Sequence, residues 1–201
     1  MRELNCAHVL TAADKPASDA RMIRIDAGSI AAIEAARPGA AQPLLAMPPL
    51  ANAHDHARTV RSSSLGASGK PLETWLHYLA LVPSIDPYLA AAVSLARSAL
   101  GGAGVVMVHY TRVQGFTDLP TEAKEVARAA RDVGVRVGFA VGMRDRNPLV
   151  YGPSEPILVA LPAAAREEIA RKVVRAPLPV KDMIALVDAV AAFSDCSVRK
   201  K

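Results

Sequence analysis

The stretch Pro48-Pro-Leu-Ala-Asn-Ala-His-Asp-His-Ala-Arg58 carries two histidines one residue apart, in a chain that has five. In an extended strand, side chains at i and i+2 point the same way, so His54 and His56 share one face while Asp55 points to the other. Imidazole is the commonest protein ligand for zinc-like metals, and two of them on a rigid strand stand closer to binding geometry than two on a loop. His54 and His56 are therefore candidate metal ligands. The bare H-x-H spacing fits a pair of solvent-facing loop histidines as well. Asp55, on the opposite side, reads as an orienting or loop-capping group.

The elements that must position this pair follow from the flanking sequence. An apolar run begins at Leu44, and Pro49 removes a backbone donor, so strand pairing should begin at about Leu50. Ser62 to Lys70 is rich in serine and glycine and reads as a mobile loop beside the pair. Asp86-Pro87 is an N-cap followed by proline at the first helical position, opening a helix to about Leu100 that Gly101-Gly102 ends. Val105 to Val108 is a continuous apolar run, the pattern of a strand buried on both faces, with His109 at its end. Thr117 or Asp118 then caps a helix from about Pro120 to Val133, Gly134 stops it, and Val135 to Val141 is the next buried strand. A proline-rich connection, Pro148 to Pro156, is long for a simple loop and reads as a lid or peripheral excursion. Helices at about Ala163–Val174 and Val180–Phe193 complete the chain.

Strands alternating with helices predict a parallel α/β sheet, and in such sheets sites lie beyond the carboxyl ends of the strands. His54 and His56, His109, and Met143-Arg144-Asp145 all fall at such ends. His109 and Arg144 are thus candidate substrate-binding residues. A structural role for His109, bonded to a neighbouring loop, and an ion pair between Arg144 and Asp145 are the plain alternatives. Arg58 and Arg61 could steer an anionic or polar substrate, or be solvated loop arginines. Trp75 reads as core or pocket wall.

The tract Pro48, Asn52, Ala53, His54 and His56 resembles the start of the barrel in the metal-dependent amidohydrolase superfamily, in the cytosine deaminase and chlorohydrolase-like branch. There a Pro-Gly-Phe-Val-Asp/Asn-Ala-His-x-His tract ends the first barrel strand. Pro49, Leu50 and Ala51 depart from it. The resemblance implies an α/β fold: a partial TIM barrel of about three βα units over residues 48–201, preceded by a small β-sandwich-like region over 1–47. In that first region Met22–Ile25 and Ser29–Ile33 read as a hairpin with its turn at Asp26-Ala27-Gly28. The resemblance further implies a divalent metal, zinc or iron, held in part by His54 and His56, with activated water attacking an electrophilic carbon. A complete member has eight barrel strands, and a further histidine at the fifth, often another at the sixth, and an aspartate at the eighth. No histidine follows His109 here, so the third ligand and the catalytic acid/base residue are unassigned.

Composition bounds the rest. With 201 residues, 51% of them hydrophobic, the chain can bury a core of one domain or slightly more. Its net charge of +5 is spread among interleaved acids, without the clustered basic face that nucleic-acid binding needs. Cys6 and Cys196 lie far apart and imply no disulfide framework. No signal-peptide core and no apolar segment of ~18 residues is visible, so no membrane partner and a cytoplasmic location are expected. The function expected from the resemblance is a metal-dependent hydrolase of a carbon–nitrogen bond in a small-molecule substrate, incomplete in this chain and completed by an oligomer or a complementing chain. The alternative is a non-catalytic, truncated remnant or assembly partner that keeps the α/β scaffold.

Overall fold

The computed structural model describes residues 1–79, 82–143, 152–172 and 178–192. Two compact units divide at Leu50/Ala51. In the first, β1 (Arg2–Val9), β2 (Arg21–Asp26), β3 (Ser29–Ala35) and β4 (Gln42–Ala46) form one sheet in the order β3-β2-β1-β4. The predicted hairpin is the β2–β3 pair, extended at both ends. Its two-residue loop has Ala27 at φ 45° and Gly28 at φ 79°, the left-handed pair whose twist matches that of the strands it joins. β1 pairs antiparallel with β2 and parallel with β4. Cys6, Val9 and Ile23 are buried between these strands, and Cys6 is a free thiol.

The second unit carries a three-stranded sheet, β5 (Leu50–Asp55), β6 (Ala103–Tyr110) and β7 (Arg136–Val141), in that order. β6 and β7 run parallel, with His109 opposite Ala140. Parallel strands need a crossover, and α3 (Leu119–Val133) supplies it between them; α2 (Pro87–Leu100) lies between β5 and β6 in the chain. Both helices start where the sequence predicts. Asp86 Oδ1 accepts from Leu89 N at 3.0 Å and Asp118 Oδ1 from Thr121 N at 2.9 Å. Gly134 closes α3 in the left-handed conformation, φ 85°. The shared core is built from Ala91 and Leu95 of α2, Val106, Val108 and Tyr110 of β6, and Val126, Ala129 and Ala130 of α3. The alanines let the two helices approach closely.

One expectation is corrected. β6 is not buried on both faces: Val106 and Val108 are sealed under the helices, whereas Val105 and Met107 are 41% and 40% exposed. Side chains alternate across a strand, and α2 and α3 cover one face only. Trp75 lies on a short helix, α1 (Leu72–Tyr78). After β7 come α4 (Glu155–Ala160), α5 (Ala163–Lys172) and α6 (Val180–Ala191). Among the described residues no helix is long and apolar enough to cross a membrane.

Candidate functional site

β5 ends at Asp55, and the chain turns sharply there because Ala57, buried and without a glycine's freedom, sits at φ 52°. Asp55 holds this conformation. Its Oδ1 accepts from Ala57 N at 2.7 Å and from Ser94 Oγ of α2 at 2.9 Å. Asn52, one turn of the pleat earlier, makes a second tie to α2: its Nδ2 donates to Ser98 Oγ at 3.2 Å and to Asp55 Oδ2 at 3.4 Å, and its Oδ1 accepts from His54 N at 3.2 Å. The strand end is thus fastened to α2 through the polar side chains of Asn52 and Asp55.

The imidazoles that follow converge. His54 Nε2 and His56 Nε2 are 3.2 Å apart, with ring planes 87° to one another. His56 Nδ1 lies 2.7 Å from the backbone oxygen of His109. A carbonyl only accepts, so Nδ1 of His56 carries a proton and leaves Nε2 as the nitrogen that can bind a metal. Two nitrogens bound to one tetrahedral ion at 2.0–2.1 Å would stand about 3.3 Å apart. The pair therefore fits a divalent cation in donor chemistry and spacing. Among the described residues, however, no group of three or more His, Cys, Asp or Glu is arranged to hold a metal.

His109, at the end of β6, stacks on His54 with ring centroids 4.3 Å apart and planes 24° from parallel. Arg144 and Asp145 lie outside the described residues. A pocket of about 380 Å³ opens in front of the pair, lined by His54, His56, Arg58, Arg61, Ser62 and Ser63 among others. Arg58 is committed elsewhere: it donates to the backbone oxygen of Arg112, and its guanidinium lies 5.0 Å from the centre of the Tyr110 ring. Burial pushes its pKa below the usual arginine range. Trp75 donates from Nε1 to Ser62 Oγ, one of the lining residues, at 3.1 Å.

Beneath the site lies a buried carboxylate the sequence did not single out. Glu122 is fully enclosed; its Oε2 accepts from Tyr110 Oη and from Gln114 N, each at 2.6 Å, and its Oε1 from Gly115 N at 3.2 Å. These bonds pin the loop that leaves β6 just after His109. Burial, and then the bond to Glu122, drive the Tyr110 phenol above its ordinary pKa, so it stays protonated and donates. Gly142 keeps the end of β7 close by. Its amide donates to Tyr110 O at 3.1 Å, and a Cβ there would lie 2.7 Å from Thr111 Cα.

With this geometry in place, solved structures provide a frame. The atrazine chlorohydrolase TrzN from Arthrobacter aurescens TC1, in complex with zinc, superposes with a TM-score of 0.54 at 17% identity. A variant of that enzyme with zinc and atraton gives 0.54 at 18%, and a triazine hydrolase from the same organism, modified for expression, 0.54 at 16%. Each match covers 89% of this chain and 44% of the other. The likeness is one of fold. The chain spans less than half the length of these neighbours, which are hydrolases. No known protein family and no curated protein matches the sequence.

Proposed function

We propose that the chain is part of a metal-dependent hydrolase of the amidohydrolase type, in which His54 and His56 hold a divalent metal, zinc or iron. The observation that carries this reading is the 3.2 Å approach of the two Nε2 atoms, with Nδ1 of His56 donating to the His109 carbonyl. The zinc in the chlorohydrolase fold neighbours supports it. A cation bound there supplies Lewis acidity for hydrolysis at neutral pH. The chain's own residues do the rest. Asp55 and Asn52 hold the strand end rigid, and the His109 carbonyl fixes the orientation of His56. The pocket beside Arg61 and Ser63 admits a small molecule, and Arg144 is a further substrate contact in this reading.

The reaction we propose is displacement by water at an electrophilic carbon bearing nitrogen, as in a ring amine or cyclic amide. The fold neighbours' name, chlorohydrolase, describes the related displacement of chloride. The acid/base group, and any metal ligand that this chain does not supply, come from a second copy or a complementing chain that covers the open sheet. Elemental analysis of the purified protein tests the metal reading. About one zinc or iron per chain, lost in His54→Ala and His56→Ala variants that still fold, is the expected result. A folded protein without bound metal, even after incubation with zinc, supports a non-catalytic scaffold instead.

A further inference from the structure

His109 is fixed to the histidine pair through its main chain, because its carbonyl is the acceptor for His56 Nδ1. Its ring centroid lies 4.3 Å from that of His54 and 6.5 Å from that of His56, while His54 and His56 are themselves 4.9 Å apart. Imidazoles sharing one tetrahedral ion have centroids about 5 Å apart, given metal–nitrogen bonds of 2.0–2.1 Å. The His54–His56 pair already meets that spacing. His109 brackets it, too near one ring and too far from the other by roughly an ångström.

We propose that His109 is the third protein donor to the cation held by His54 and His56, completing a three-histidine set from the ends of two adjacent strands. This rests on the metal reading above. In the structure the His109 ring stacks on His54, and the three rings as they stand are not arranged to hold a metal. The proposal requires the His109 side chain to leave that stack and turn a ring nitrogen toward the two Nε2 atoms. Three protein nitrogens and an open fourth position form the donor set of a catalytic zinc site, whereas two histidines alone hold metal weakly. The set uses only residues of this chain.

The test is zinc affinity, measured by competition with a chromophoric chelator on the full chain and on His109→Phe, which keeps an aromatic ring against His54 but has no donor. The proposal expects an affinity loss greater than the 10–100-fold that follows removal of a merely orienting neighbour. It also expects cobalt(II) substituted into the variant to lose the intense visible absorption of a four-coordinate site. Histidine-selective nitrogen NMR of the wild-type chain gives a readout that does not depend on the variant folding: on adding zinc, ring nitrogens of all three histidines shift as direct ligands. Zinc binding by His109→Phe within twofold of wild type, with an unchanged cobalt spectrum, overturns the proposal and leaves the two-histidine reading standing. So does a zinc-induced shift confined to His54 and His56. A wild-type chain that binds no zinc at all overturns both.

Discussion

Asp55 and Asn52 show how single residues set the site without touching its chemistry. Asp55 satisfies a strained backbone amide and a helix hydroxyl at once. Replacing it with alanine leaves both donors without their acceptor, and a lost charge-assisted network of this kind costs about 2–3 kcal/mol. Asp55→Ala should therefore lower the urea midpoint markedly, and because Ala57 is then free to leave φ 52°, zinc affinity should fall with it. An unchanged midpoint would show that the turn holds itself. Tyr110 gives a pH prediction. Its folded pKa is raised by burial and by the bond to Glu122, above the unfolded value of about 10. The sign follows: the contribution is fully present below pH ~10 and is lost as pH rises toward the folded value. Stability measured across the alkaline range should decline more steeply in wild type than in Tyr110→Phe. The H-x-H pair and the loop-capping role of Asp55 were legible from strand periodicity alone. Asn52, Ser94, Ser98 and Glu122 were not, because their partners lie 39 to 46 residues away for the α2 ties, or because a first-turn glutamate ordinarily reads as solvated.

Helix ends and hairpin turns were readable because their signals are local. Asp86-Pro87, Asp118, Gly134 and Asp26-Ala27-Gly28 act on backbone groups within four residues. β1 and β4 were missed as strands, since β1 pairs in parallel with a segment some forty residues on and its sequence, Arg-Glu-Leu-Asn-Cys-Ala-His-Val, alternates only weakly. The burial of β6 was misread for a related reason. An apolar run fixes that a strand is compatible with two covered faces, not that two layers exist. The α2–α3 contact offers the element-scale prediction. Ala91 is fully buried in the shared core, so Ala91→Leu inserts atoms where the helices are close and should cost about 1–3 kcal/mol in denaturant titration. A neutral or stabilising effect would mean that a cavity lies beside it. Removing the cap in Asp86→Ala should cost about 1 kcal/mol.

Across the whole molecule, the described chain presents one covered face of a parallel sheet and one open face bearing Val105 and Met107. Apolar side chains left open on a sheet favour association. Sedimentation velocity at tens of micromolar should show species larger than the 21.1 kDa chain, reduced by Met107→Lys; a strictly monomeric wild type would contradict the proposal that a second copy covers this sheet. Strand–helix alternation was enough to predict the α/β class and to put the His54/His56 pair and His109 at the ends of two strands. It could not show which of those ends meet, because that depends on strand order: β5 and β6 are neighbours, so His54, His56 and His109 come together. The most direct measurement of the account is an anomalous-difference map from a zinc-soaked crystal. A peak about 2.0–2.1 Å from Nε2 of both His54 and His56 is the predicted result. A map with no peak between those two atoms, at full zinc saturation, would contradict it.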